Sequence, residues 1–488
     1  MNKPFILVPV LLLAGCATPV PQALSPPLVP KTFTGPIGNE AKIWPDPSWW
    51  QGFGDPQLTA LVSQARDSNR DIAVAAARVI QAQAQSTIQR SALFPQIGGQ
   101  ANWQSGGCNG QSCNSYPSSK LFGLQFNASY ELDFWGLARD NLRAANEQLK
   151  AARFAQESVA LSVTANVATQ YLNVLAIRRR IAILHQNIDA INAILAVVKL
   201  RVKTGATSHL DMAREQAQLE LTEAQLPSLE TVEKQALYSL AVLLGWPPEG
   251  FDISTGDLEK VLPPTVGAGL PSELLLRRPD VARAEANLAS AHANLDAARA
   301  AFFPQISLTG QGGFVSTAIG TLVQGSSFGY SWGAGLLQTI FDGGRLAGQK
   351  DLAEGVQKEY VAAYQNAALN AYADVEFALV QVANTSQAEG KLRQAIVAAQ
   401  EAFEISELQY RQGAADLLTV LQAQQTLFSA QDQLVQTVLS NRLAAIHLYE
   451  ALGGGWLEGT SDQTQRTNVV ATAADTEGGS QSPLRSVP

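Results

Sequence analysis

Between Phe122 and Phe134 the even positions are Phe122, Leu124, Phe126, Ala128, Tyr130, Leu132 and Phe134. The odd ones are Gly123, Gln125, Asn127, Ser129, Glu131 and Asp133. Alternation with period two predicts a strand with one apolar and one polar face, the polar face carrying two carboxylates. Ile97, Ala101 and Trp103 against Gln100, Asn102 and Gln104 predict another strand. So do Ile306, Leu308 and Phe314 against Ser307, Thr309 and Gln311, and then Phe328, Tyr330, Trp332 and Leu336. Strands of about 9–14 residues suit a tilted transmembrane strand. A soluble half-buried sheet alternates equally well.

Elsewhere the period is helical. A first helix over about 56–93 ends before Pro95, where the pre-proline residue leaves the helical region. A long helix from about 137 to 203 stops near Gly205, and a second from about 346 to 412 stops at Gly413. About 68 residues at helical rise reach about 100 Å. Two short helices, each about half that length, would match one long helix when stacked end to end, which describes a long cylinder.

The chain is one unit written twice. Asp71-Ile72-Ala73 through Phe94-Pro95-Gln96-Ile97 aligns with Asp280-Val281-Ala282 through Phe303-Pro304-Gln305-Ile306 at an offset of 209. Leu200, Gly205 and Leu219 align with Leu408, Gly413 and Leu427 at 208. This duplication of about 208 residues predicts, in each unit, short helix, strand, loop, strand, long helix, short helix. The predicted organisation is a signal segment 1–15, a tether 16–54, repeat 1 over 55–245, a crossover 246–270, repeat 2 over 271–453 and a largely disordered tail 454–488.

Four strands cannot close a barrel around a lumen, and lipid does not tolerate open sheet edges. If these strands span a membrane, several chains must share the barrel. Eight strands leave an interior filled by side chains, so a conducting duct favours three chains and 12 strands.

Composition narrows the classes. The 488 residues are 46% hydrophobic and 16% charged, which describes a folded chain. No apolar run of about 20 residues follows the first 15. With 34 basic and 42 acidic residues, net −8, no basic surface is expected for nucleic acid. Only 4 His, 3 Cys and 2 Met argue against a metal or redox enzyme. Gly343 to Lys350 lacks the Gly-Lys-Ser/Thr ending of a phosphate loop. No enzyme, resident metal or cofactor is expected.

The N-terminus carries an address. Lys3, the apolar run Phe5–Leu13 and Leu13-Ala14-Gly15-Cys16 describe a secretory signal. Its ending resembles a bacterial lipobox, which makes Cys16 the site of a covalent lipid. Ala17 follows where an Asp would favour inner-membrane retention, so the address reads as the periplasmic side of the outer membrane. The Pro-rich stretch beyond is expected to be extended, with Trp49 and Trp50 anchoring it against the barrel or an equatorial belt. Cys108 and Cys113 fall in a loop between predicted strands. In an exported chain a disulfide is the favoured reading, with free thiols or a two-ligand metal site as alternatives.

Taken together, the lipobox, the duplication, the two Phe-Pro-Gln-Ile junctions and the two helix–Gly–helix tips resemble the TolC/OprM-like outer-membrane factor family, in its lipoprotein branch. The resemblance covers about 45–455. It implies an α+β membrane protein: a homotrimer with a 12-stranded β-barrel, four strands per chain, continuing into a 12-helix periplasmic α-barrel. It also implies a passive exit duct for drugs and other small molecules, working with a periplasmic adaptor and an inner-membrane pump. The alternatives are the exit duct of a type I protein secretion system and, in another class, a lipid-anchored coiled-coil scaffold without a pore.

The resemblance places the gate at the two tips, Val202–Asp211 and Tyr410–Leu418. It implies that Asp211 bonds Tyr410 across neighbouring hairpins. It further implies that Asp416, one per chain, forms a cation-attracting carboxylate ring, and that Lys203, Thr204, Gly205, Arg411, Gln412 and Gly413 meet the adaptor. Ala415 stands where TolC-like members have an arginine, and Thr419 and Gln422 where they carry acidic rings, so the latch differs in detail. Read as local structure, Ser208 and Asp416 are instead N-caps of the returning helices; for Asp416 the two roles are compatible.

Overall fold

The computed structural model describes Phe33 and residues 45–106, 119–264 and 271–456. Cys16, Cys108, Cys113 and the tail beyond 456 lie outside the described residues. The elements in chain order are α1 (Pro56–Ser68), α2 (Arg70–Ser91), β1 (Gln96–Gly106), β2 (Ser119–Leu132), α3 (Leu137–Lys203), α4 (His209–Glu223) and α5 (Leu226–Leu243). The second half supplies α6 (Pro271–Arg277), α7 (Pro279–Ala300), β3 (Gln305–Ser316), β4 (Phe328–Leu337), α8 (Arg345–Gln412) and α9 (Leu417–Ala451). At 67 and 68 residues, α3 and α8 are the long helices that the periodicity predicts.

Three expectations about where elements begin and end need correction. The first helix is broken at Asn69, whose backbone is extended and whose carboxamide oxygen accepts from the Asp71 and Ile72 amides. Its Nδ2 donates to the Leu243 carbonyl at 2.8 Å, so a contact 174 residues away holds the break. The returning helix of repeat 1 is also broken, because Pro227 at the start of α5 cannot donate into a continuous helix. Val435 takes that place in repeat 2, and α9 runs through. Finally, β2 ends at Leu132. Asp133 therefore leaves the polar strand face and caps α3, its carboxylate accepting from the Ala138 and Arg139 amides at 3.1 and 3.0 Å.

The strands form one antiparallel sheet in the order β1-β2-β3-β4. Register aligns the alternating patterns: Trp103 stands opposite Phe122, Leu124 opposite Ala101 and Phe314, and Phe314 opposite Phe328. One face is thus apolar across all four strands. Trp332 is 83% and Tyr330 77% exposed, so none of the described residues covers that face. The opposite face carries Gln100, Asn102, Gln125, Asn127, Thr309 and Gln311. Among the described residues both outer edges, on β1 and β4, are left without a partner strand.

The main core gathers around the middle of α3. Val167, Tyr171, Leu172 and Leu175 pack there with α1, α5 and α9 and with Ile253, Leu258 and Val261 of the crossover. One window of α3 is apolar enough by composition to span a membrane, which corrects the reading that no such run exists; 33% of that window is buried, and the buried apolar residues of α3 are divided between this core and two smaller clusters nearer its C-terminal end. Trp49, Trp50 and Phe53, assigned to the tether, form a 3-10 turn buried in the same core. Trp49 stacks on Tyr449 at 5.0 Å, and the Tyr171 hydroxyl donates to Asp55 at 2.7 Å. The folded body therefore begins before residue 54, because these aromatic rings remove more apolar area from water than an extended tether could.

Candidate functional site

The site is built at the far ends of the two long helices. Each long helix stops at a glycine with left-handed backbone, Gly205 at φ 74° and Gly413 at φ 80°, a conformation that a Cβ disfavours. Each returning helix is then capped. The Ser208 hydroxyl accepts from the Asp211 amide at 3.3 Å. The Asp416 carboxylate accepts from the Thr419 amide at 2.9 Å and from its hydroxyl at 2.6 Å. Both residues are N-caps, and Thr419 is the capping partner. Lys203, Thr204, Gly205, Arg411, Gln412 and Gly413 are all exposed at the two turns. Arg411 pairs along its own helix with Glu407 at 2.5 Å.

The two hairpins are joined by an apolar knot. Ile194 and Val198 of α3, Tyr410 of α8 and Leu417 and Val420 of α9 are buried together, with Met212 of α4 packed against them. Within the chain Asp211 and Tyr410 are not bonded to each other. The Asp211 carboxylate instead accepts from the Thr207 hydroxyl at 2.5 Å and the Ser208 hydroxyl at 3.3 Å. The Thr207 bond holds this carboxyl below the usual carboxylate range, and the Thr419 hydroxyl does the same for Asp416. The Tyr410 hydroxyl is buried without a hydrogen-bond partner. Its ring is covered by the Arg201 guanidinium at 4.6 Å, a cation–π contact between the hairpins. A short side chain at position 211 is satisfied locally before it can reach the other hairpin.

Three tip residues escape sequence reading. Arg201 is one, because its contact joins two hairpins far apart in the chain. Arg214 is another: it lies close enough to both Asp211 and Asp416 to favour their ionised forms. The third is Glu215, fully buried, with neither carboxylate oxygen hydrogen-bonded. Burial pushes its carboxyl up to about 7. Its spacing was a usable signal, since Glu215, Leu219 and Thr222 recur at helical intervals as the buried seam of α4.

Arg201→Gln is expected to loosen the knot by about 1 kcal/mol, the usual scale of a cation–π contact. Amide hydrogen exchange around Tyr410 and Leu417 would then quicken severalfold. Unchanged exchange there would assign the knot to apolar packing alone.

Among the described residues no group of three or more His, Cys, Asp or Glu could hold a metal ion. What the geometry provides is a long wall: an apolar-faced sheet at one end and paired helical hairpins with charged tips at the other. That is the form of an outer-membrane channel subunit.

Comparison with known proteins agrees. The family described as outer membrane efflux protein matches twice, over residues 61–246 and 270–454, and the chain belongs to that family. The pyoverdine export outer membrane protein OpmQ of Pseudomonas putida is 36% identical over 91% of this chain and 95% of its own length. The cation efflux system protein CusC of Escherichia coli O6:H1 is 30% identical over 91% of this chain and 97% of its own. The solved open state of the MtrE outer membrane channel of Neisseria gonorrhoeae has a TM-score of 0.81 and 28% identity, covering 89% of this chain and 97% of that one. The protein is an outer-membrane efflux channel, a transporter class and not an enzyme class.

Proposed function

We propose that three copies form the passive exit duct of a tripartite efflux pump. One observation carries this: a four-stranded sheet whose apolar face is exposed on every strand and whose two edges, among the described residues, lack partner strands. Lipid covers such a face but cannot satisfy the edges, so β4 of one copy must pair with β1 of the next. Three copies give 12 strands and enclose a lumen. The polar face, with Gln100, Asn127 and Gln311, lines it. Below, α2, α3, α7 and α8 of each copy build a 12-helix periplasmic tunnel.

The duct supplies no energy. An inner-membrane pump selects and drives the cargo, and a periplasmic adaptor meets the exposed turns at Lys203–Gly205 and Arg411–Gly413. Cys16 carries the covalent lipid that assists outer-membrane anchoring. Cargo is small: relatives are named for export of pyoverdine and of cations, and a wide passive tube selects little. Asp416, repeated three times around the axis, attracts cations at the entrance. Tyr410 in the knot and Asp211 in its own turn each hold one hairpin end, and the parting of those ends opens it.

Single-channel recording of the purified lipidated protein in a planar bilayer tests this. Small cation-selective currents, blocked by divalent or trivalent cations from the periplasmic side, are expected. Tyr410→Ala or Asp211→Ala should raise basal conductance, and Asp416→Asn should weaken the block. No current from a folded protein or from either tip variant would overturn the duct.

A further inference from the structure

At each of the four crossings between strand and helix an aromatic side chain stands exposed: Phe94 before β1, Trp135 after β2, Phe303 before β3 and Phe341 after β4. Trp135 is held in place. Its ring stacks on Phe303 at 4.8 Å, and its indole N–H donates to the Pro304 carbonyl at 2.7 Å. The crossing after β2 is thereby tied to the one before β3. Aromatic side chains gather where the hydrocarbon of a bilayer gives way to headgroups. These four mark that level at the foot of the apolar sheet.

Directly below it, the first turns of α3 are strongly charged. Formal charge alone gives no basic patch there, because each of these cations has an acid beside it. Arg139 pairs with Asp133 at 3.0 Å. Arg143 pairs with Asp140 at 3.1 Å and with Asp296 of α7 at 2.6 Å. Lys150 pairs with Glu147 at 2.7 Å.

Depth separates the two signs. The Arg139 side chain is 60% exposed against 12% for Asp133, and that of Arg143 is 50% exposed against 26% for Asp296. Lys150 stands outward of Glu147 in the same way, as does Arg345 of Asp342 at the start of α8. The carboxylates lie inward and the cations outward. A basic surface therefore meets the surroundings along a shallow groove of roughly 460 Å³, lined by Arg139, Arg143, Asn146 and Lys150 among others. The bonds of Arg139 to Asp133 use Nε and Nη2, which leaves Nη1 for another acceptor.

This face of α3 is the outer one. Arg143, Glu147, Lys150, Phe154 and Leu161 recur at helical intervals along one side. Trp456 packs edge-on against Phe154 at 5.5 Å, and Gly454 lies against Leu161 and Trp49. Both ends of the folded body therefore meet on this side. The segment before Trp49 leads back to Cys16, whose lipid enters the bilayer from outside the wall. At this height α3 also takes both its neighbours, α2 and α7, from its own chain, so assembly leaves the side open.

We infer that Arg139 and Arg143 bind the phosphate headgroups of phospholipids in the periplasmic leaflet, as a basic collar beneath the sheet. The collar rests on the barrel reading of the sheet and names the lipid group that meets its foot. Helical rise puts Arg139 about 3 Å and Arg143 about 9 Å below the start of α3. A headgroup layer of about 5–8 Å lies within reach of both long side chains. Lys150, about 20 Å down, is beyond it. Guanidinium groups present paired N–H donors that match phosphate oxygens, while acyl chains cover the apolar sheet above. Anionic headgroups gain most, because no amine offsets their phosphate.

Native mass spectrometry of the full-length lipidated protein, with phosphatidylglycerol titrated into its micelles, tests the collar. Phosphatidylglycerol should stay bound to the trimer. Arg139→Gln combined with Arg143→Gln should weaken that binding about 25-fold, or about fivefold for each charge removed near a lipid surface. Arg139→Lys with Arg143→Lys keeps the charge and should keep the binding, and Lys150→Gln should leave it unchanged. Undiminished binding by the glutamine pair, or an equal loss in Lys150→Gln, would overturn the collar at this level. Inorganic phosphate that displaces the lipid at equal concentration would reveal a site for the free anion and overturn the assignment to lipid. The same spectra report assembly. A trimer that retains no phosphatidylglycerol would overturn the collar and leave the barrel standing, whereas a monomer would overturn the barrel on which the collar rests.

Discussion

Gly453→Ala is expected to destabilise the chain severely, with a large drop in its unfolding temperature. Gly453 has left-handed backbone at φ 84°, and a Cβ there would run into the Arg277 carbonyl oxygen. That carbonyl cannot retreat easily, because its neighbour Arg278 is clasped from three sides. Arg278 pairs with Asp280 at 2.7 Å and Asp374 at 3.0 Å, and it donates to the Ala451 carbonyl at 3.2 Å. The cost combines left-handed strain with a backbone collision, on the order of 4 kcal/mol or more. Gly250→Ala provides the comparison: Gly250 has φ 71° and nothing within 4 Å of the added carbon, so only the conformational cost of about 1–2 kcal/mol applies. Thermal unfolding of the two variants separates collision from strain. Equal losses would show that the Arg277 carbonyl moves aside freely.

The repeat partner of this site explains why the position matters. Gly245, at φ 73°, approaches the Ser68 carbonyl, which a Cβ would meet at 2.6 Å. Beside it Asn69 donates to the Leu243 carbonyl, as Arg278 does to that of Ala451. Each repeat therefore closes by laying the glycine end of its last helix against the break in its first. The geometry is duplicated while the clasping side chain changes from carboxamide to guanidinium.

Glu215 should make the first hairpin sensitive to pH. Its carboxyl is raised by burial from 4.5 to about 7, so the folded hairpin keeps a proton that the unfolded one releases above about 4.5. Stability contributed by this group is therefore whole below pH about 4.5, declines as pH rises, and is lost above about 7. No charged group relieves it. Lys199 of the facing helix α3 is exposed, Arg201 covers Tyr410, and Arg214 on α4 itself is exposed near Asp211 and Asp416. Glu215→Leu should remove the dependence and stabilise the hairpin at pH 8 by on the order of 3 kcal/mol. The comparison is amide exchange protection of α4 at pH 5 and pH 8, corrected for the intrinsic rate. Wild-type protection that is equal at both values, with no gain from leucine, would show that the carboxyl finds water.

Much of this architecture is local and was readable along the chain. Period-two alternation in 122–132 assigns the two faces of β2 because successive side chains of a strand must point to opposite sides. The ends of α3 and α8 are marked by Gly205 and Gly413, and the starts of α4 and α9 by Ser208 and Asp416, since these residue types solve a helix terminus within a few positions. The duplication, too, is visible by comparing the chain with itself.

Only the tertiary structure decided where distant segments meet. Nothing near residue 69 announces a break that depends on the Leu243 carbonyl, and nothing near Trp49 announces stacking on Tyr449. Tyr410 receives Arg201 and not Asp211, because Thr207 and Ser208 satisfy that carboxylate first. Glu215 lies on a seam whose spacing the chain shows, but its lack of any partner depends on what α3 brings against it. Periodicity and caps are properties of neighbouring residues and survive in any fold that contains the element. Burial, pairing and a displaced carboxyl pKa depend on which elements pack together, and one chain read alone does not contain that information.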